Sequence, residues 1–380
     1  MLRFATCSCL VLTCLSLSQE QEGKNIDSIS AELEKQQYNL SAEGKGFLLS
    51  EARRASFFLL GELHGENEIP ALLRELWPQM WRDGYRNIAA EVSPWAAHQL
   101  EFAPVNGEPK IKGLWSKQEA QFVHSFSDAR NPVLWGCDME EVESDLLIRD
   151  LAATNPSNRA LRQMVETTKT GYNRAMAPEL LKLAQSATPI KDHTINDASL
   201  YENLVATLEI EVDRLKQARL SASLRRESLM KNLFLLHYQK SAATGPGPKV
   251  FLRFGRNHLH RGYDRRGVST LGNFVAEFAL AQHMTSFHVA AFAAGGKGFL
   301  AGKAFDADER QDDPAFELLA SVARYPATVF NLRPLRSLLH QIPDKDRSST
   351  QKSLVYWADS YDAIICYREV TPLSSTSSNE

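Results

Sequence analysis

The chain is sparing with cysteine. Only five of its 380 residues are cysteine, and three of these, Cys7, Cys9 and Cys14, lie in the first turns of the sequence. Cys137 and Cys366 remain for the rest. That excludes a disulfide-stapled scaffold. The two could pair in an oxidising compartment, but each sits in an apolar, strand-like run, where a lone buried thiol is expected. Charge of a single sign is also absent. Lysine and arginine number 43, aspartate and glutamate 46, and the net charge is −3. With a pI near 6.4 and no block of like charge, neither nucleic acid nor an anionic membrane surface is implied as a partner. No run of about 18 apolar residues occurs, so no transmembrane span is expected in the mature chain. There is no Gly-x-Ser-x-Gly elbow, no His-Glu-x-x-His and no Walker motif, which argues against the usual serine esterases, zincins and P-loop enzymes.

What is present begins with a leader. Arg3 precedes an uncharged stretch, Phe4 to Leu17, and Ser16 and Ser18 stand at small-residue positions before Gln19. This reads as a signal peptide over residues 1–18 and an exported, periplasmic or secreted protein. Lipidation at Cys14 is the alternative. The tail at 373–380 is polar, rich in Ser and Thr, and reads as disordered.

Between the ends, apolar runs bounded by breakers predict seven strands: Phe57–Leu60, Asn87–Val92, Pro132–Asp138, Lys249–Gly255, Ser286–Ala294, Thr328–Leu332 and Asp362–Tyr367. Ile26 to Tyr38 reads as one amphipathic helix, and so does Ile69 to Arg82, which Pro78 should kink or split. From Glu140 to Lys240 no strand is evident, and leucines recur at helical spacing from Asp197 to Lys240. The predicted fold is α/β: an open, mainly parallel sheet of about seven strands flanked by helices, with a large α-helical insertion. Residues 47–140 would form the first half of the α/β core, 141–245 the insertion and 246–372 the second half.

One device occurs twice. Gly61-Glu62-Leu63-His64 and Gly255-Arg256-Asn257-His258 each place Gly-x-x-His at a strand's end. Glycine there lets the chain turn without side-chain obstruction. Acids close two other strands, Glu91 and Asp138. If these strands are parallel neighbours, His64, His258, Glu62, Glu91 and Asp138 converge on the crevice beyond their carboxyl ends, where open α/β sheets bind ligands. Two imidazoles and several carboxylates can hold a divalent metal, or run metal-free acid–base chemistry on water. Gly295-Gly296-Lys297-Gly298 reads as a mobile loop rather than a phosphate cradle. His237, His283 and His340 read as core or surface residues, while His260 and His288 lie nearer the crevice.

The stretch Leu59 to Glu68, Glu91, the segment Arg226 to Asn232, the block Phe254 to Gly272 and the closing run Tyr361 to Ile365 resemble the erythromycin esterase family. That family belongs with a wider group including ChaN-like haem-binding lipoproteins and TraB/Tiki proteins. The resemblance implies a hydrolase acting on an ester or related acyl bond of a small-molecule substrate. It implies His64 as the general base, Glu62 and Glu91 orienting it, and His258 binding or polarising the substrate. Arg226, Glu227 and Asn232 would reach in from the insertion, and Glu68 and Asp138 would join them in binding substrate. The single residue between Glu62 and His64 is closer to the ChaN and Tiki patterns. These imply haem binding without turnover, or a metal-dependent hydrolase with a divalent cofactor.

Overall fold

The computed structural model describes residues 26–102, 117–127, 132–140, 144–187, 190, 197–243, 245, 247–300 and 302–373. The leader at 1–18 and nearly all of the predicted tail lie outside the described residues. In chain order the strands are β1 (Gln37–Asn39), β2 (Phe57–Glu62), β3 (Tyr85–Ala90), β4 (Leu134–Gly136), β5 (Lys249–Gly255), β6 (Ser286–Ala293), β7 (Lys297–Leu300), β8 (Lys303–Asp306), β9 (Ala327–Asn331) and β10 (Ala363–Tyr367). The helices before β4 are α1 (26–35), α2 (Lys45–Arg54), α3 (Glu68–Arg82), α4 (Pro94–Phe102) and α5 (Lys117–His124). Then come α6 (Ser144–Thr154), α7 (Arg159–Thr167), α8 (Ala177–Gln185), α9 (Asp197–Leu215) and α10 (Arg219–Ala242). The last are α11 (Leu271–Ala281), α12 (Pro314–Val322), α13 (Arg333–His340) and α14 (Ser349–Ser360).

Eight strands form one sheet in the order β1-β9-β10-β6-β2-β5-β3-β4. From β10 to β4 every pairing is parallel, and β9 and β1 run antiparallel at one edge. This is an α/β fold with helices on both faces. The reason is visible in β2, all six of whose residues are buried. Phe57 and Leu59 pack with Phe234, Leu252 and Leu271 on one face, and Phe58 and Leu60 with Leu73, Trp77 and Phe251 on the other. A strand buried on both faces needs an unbroken apolar run, and neighbours on one face must alternate along it. Between β4 and β5 the described elements are all helical, and α4 with α6 to α9 share an apolar core built on Trp95, Leu147, Leu161, Leu180 and Leu204.

Several expectations need correction. Helix α3 runs through Pro78 without a break; its buried face, from Ile69 to Met80, outweighs the missing amide. The leucine pattern from Asp197 to Lys240 is two helices, reversed at Lys216 to Ala218, where Gln217 takes φ +57. Leu215, Leu220, Leu224 and Leu236 of that pattern are exposed. The first helix ends at residue 35 and Gln37–Asn39 is an edge strand. Gly295 to Gly298 opens the β7–β8 hairpin, with Gly296 at φ +101. Cys137 and Cys366, by contrast, are free and buried as expected.

Candidate active site

Parallel pairing brings one set of carboxyl ends to a common edge. In register, Glu62 lies opposite Gly255, and Ala90 lies opposite both Arg253 and Gly136. Glu62, Glu91, Asp138 and the turn Arg256–His258 therefore emerge side by side. β2 ends at Glu62 and His64 stands in the turn two residues on. The single intervening residue, Leu63, is what lets Glu62 Oε1 meet His64 Nδ1 at 3.1 Å.

The repeated Gly-x-x-His device interlocks. A Cβ on Gly61 would sit 2.7 Å from Arg256 Cα, and a Cβ on Gly255 would sit 2.9 Å from His64 Nε2 and 3.3 Å from Glu91 Oε2. Gly255 has φ −52, so close approach, not a left-handed backbone, is why glycine is needed at both positions.

Glu91 is the hub. Its Oε2 accepts from the Gly255 amide at 2.6 Å and lies 3.4 Å from His64 Nε2. Its Oε1 accepts from Arg226 Nη2 at 2.9 Å and lies 3.5 Å from His258 Nε2. Arg226, on α10, also donates Nε to Asp138 Oδ1 at 3.0 Å. One turn position further, Glu227 meets His258 Nδ1 at 2.5 Å and accepts from the Leu271 amide. Behind them Arg253 is buried between Glu62, at 2.8 Å, and Glu119.

The charges follow from this packing. Burial alone would discharge His64, but Glu91 and then Glu62 prevail and push the ring up to about 10. His258 is likewise raised, against burial, by Glu91 and Glu227. Burial opposes charge on Glu91, yet His258, His64 and Arg226 hold it well below the usual carboxylate range. Glu62 is lowered in the same way, against burial, by Arg253 and His64. Glu66 behaves oppositely. Burial first, then Glu309, Glu62 and Glu68, push it up to about 8, and its Oε1 has no hydrogen-bond partner among the described residues. Glu62 and Glu66, four residues apart, are thus shifted in opposite directions. His64 remains open to solvent, with 22% of its side chain exposed.

Of the predicted residues, His64, Glu62, Glu91, His258, Asp138, Arg226 and Glu227 come together. Glu68 and Asn232 do not. Glu68 accepts from the amide and hydroxyl of Thr371, and Asn232 is exposed on α10, more than a quarter-turn from Arg226 and Glu227 at about 100° per residue. His288 lies inside the sheet opposite Leu59, its ring bonded to Leu259 O and Ser286 Oγ. His237 stacks on Trp135, and His340 pairs with Asp359 at the surface. Arg253 and Glu119 were not foreseen. A lone arginine inside the buried run Lys249–Gly255 is the signal that could have found the first, because a charge there must be paired. A separate open cleft of about 1050 Å³, lined by Ala294, Arg310, Glu317, Ala323 and Arg368, contains none of these residues.

The resemblance also implied a divalent metal or haem. Among the described residues, no group of three or more His, Cys, Asp and Glu side chains is arranged to hold a metal ion. Both rings turn both nitrogens toward carboxylates, so each ring nitrogen already faces an acidic partner. The donor set does not fit either group. No helix among the described residues is long and apolar enough to cross a membrane.

No family model matches the sequence, and no curated protein matches it. Solved structures do. A succinoglycan biosynthesis protein superposes over 91% of this chain and 97% of its own, with TM-score 0.58 at 14% identity. A Bacillus cereus protein covers 91% and 98%, again with TM-score 0.58 at 14% identity. A histidine-to-asparagine mutant of the erythromycin esterase EreC, in its open conformation, covers 87% of this chain and 95% of its own, with TM-score 0.56 at 12% identity. The fold of this chain is erythromycin-esterase-like.

Proposed function

We propose that the chain is a hydrolase that activates water at His64 against an ester or related acyl bond of a small molecule. The observation that carries this reading is the position of His64. It is partly open to solvent between two carboxylates held in their charged form, with the His258 ring beyond Glu91, its titration likewise raised. In the resting site Nδ1–H is donated to Glu62 and Nε2–H points at Glu91. Once Nε2 has released that proton to solvent, it accepts one from a water whose oxygen bonds to the acyl carbon. His258 donates from Nε2 to the carbonyl oxygen as negative charge grows there. The bond to the leaving oxygen then breaks, and that oxygen takes the proton back from His64. Glu62 keeps the ring oriented through Nδ1. Arg226 and Glu227, from α10, fix Glu91 and His258.

Residues 141–245 are proposed as an insertion domain that completes the site from above, and residues 1–18 as an export signal. The first is tested by whether Arg226→Ala impairs turnover. The second is tested by the N-terminus of protein recovered from outside the cytoplasm: a start at Gln19 supports it, and retention of Met1 contradicts it. The catalytic reading is tested by initial rates on a panel of lactones and acyl esters. Turnover by the parent and its loss in His64→Ala, with the fold retained by circular dichroism, supports the reading. Equal rates in parent and variant overturn it.

A further inference from the structure

The turn that carries His64 is gripped from two sides by segments distant in sequence. On one side the β7–β8 hairpin leans on it: the Phe299 amide donates to Gly65 O at 2.9 Å. Gly65 has φ +95, and a Cβ there would lie 2.6 Å from Phe299 O. On the other side runs the segment after β10. The Leu373 amide donates to the same Gly65 oxygen at 2.8 Å, and the Asn67 amide donates to Thr371 O at 3.0 Å. Asn67 Nδ2 donates to Pro372 O at 2.7 Å. The Thr371 amide donates to Glu68 Oε1 at 3.0 Å, and its hydroxyl donates to the same oxygen at 2.8 Å. Glu66 bridges Pro372 as an isolated antiparallel pair.

This arrangement reassigns Glu68 and gives Asn67 a role. Resting on the catalytic reading of His64, we propose that residues 371–373, received by Gly65, Asn67 and Glu68, form a positioning strap that fixes the His64 ring between Glu62 and Glu91. The physical need is plain. Leu63 to Asn67 forms no part of the sheet, and a ring held by carboxylates at 3.1 and 3.4 Å loses that geometry with a small backbone shift. Strand β2 anchors only the start of the turn, and α3 only its end. The strap and the hairpin meet the middle, at one carbonyl.

The strap explains why an acid at position 68 is useful although it never reaches the crevice. Glu68 offers two acceptor oxygens at the N-terminus of α3, and Thr371 supplies two donors. Beneath the strap, Glu66 is 3% exposed, so loosening the strap also admits water to a buried carboxyl. These residues act through His64 and touch no substrate in this scheme.

The test needs no substrate, so its outcome is separate from that of the hydrolase assay. Leu373→Pro removes the amide donor to Gly65, and Thr371→Val removes the hydroxyl donor while keeping shape. In each, amide exchange across residues 63–68 and the NMR titration of the His64 ring are measured beside the parent. The expected result is exchange faster by about tenfold or more in that turn, unchanged exchange in β2 and β6, and a His64 titration moved down toward the ordinary imidazole value as the carboxylate contacts are lost. A His64 titration and turn exchange equal to the parent's in both variants would overturn the proposal. So would a variant in which the whole sheet exchanges faster and His64 titrates as before, because the segment would then be merely structural. A failure of every ester in the hydrolysis panel would refute the catalytic reading and leave these two readouts standing.

Discussion

Replacing Glu91 with glutamine removes one negative charge and keeps the shape of the hub. The raised state of His64 rests first on Glu91, once burial has been overcome. At 3.4 Å the pair is close enough for the charge to matter strongly. An opposite charge at such a distance moves a titration by about 1 to 3 pH units. Taking the middle of that range, Glu91→Gln should lower the His64 titration from about 10 to about 8, with Glu62 holding the remainder. The assay is the pH dependence of the His64 Cε1–H resonance, assigned by its absence in His64→Ala. A shift smaller than about half a unit would refute the reasoning, because the proton would then be held by something other than this carboxylate. The same change has a stability consequence. His64 is raised on folding, so its contribution is fully present below its unfolded value near 6.5 and is lost as pH rises through about 10. A change of that size is worth up to about 5 kcal/mol. The parent should therefore lose stability between those limits, and Glu91→Gln should lose less over the same range.

Other expectations follow from the same contacts. Arg253→Met removes the guanidinium between two buried carboxylates and should cost about 3–5 kcal/mol in denaturant unfolding, with part of it recovered by adding Glu62→Gln. Gly255→Ala puts a methyl 2.9 Å from His64 Nε2 on a backbone that alanine tolerates; turnover should fall far more than unfolding stability. Asn232→Ala, on the exposed face of α10, should leave stability within about 0.5 kcal/mol and turnover unchanged. A large loss of turnover there would return Asn232 to the site.

Much of the sheet was legible because its strands are buried on both faces and so had to be apolar without interruption, as Phe57–Leu60 and Val250–Leu252 are. The carboxyl-end acids were legible for a related reason: Glu62, Glu91 and Asp138 each follow such a run abruptly. What escaped was whatever depended on tertiary partners. Gln37–Asn39 is a strand only because β9 offers it an edge, and nothing in its own residues says so. The break at Gln217 was hidden by leucines that turn out to face solvent. Glu68 looked like a site residue because it closes the stretch Leu59 to Glu68 that carries the family resemblance. Its direction was decided by Thr371, some three hundred residues away. The two glycines were noticed, but their reason, each vacating space for the other turn, is a property of neighbouring strands and not of either segment.

The most direct test of the central claim is the pH dependence of kcat/KM on an ester the protein cleaves, with His64→Ala as control. If neutral His64 is the base, only about one molecule in a thousand is competent near pH 7. The rate should then climb about tenfold per pH unit toward about 10, and the variant should lose that climb and about 100-fold or more of the rate. A profile flat across that range, or a variant as fast as its parent, would contradict the account.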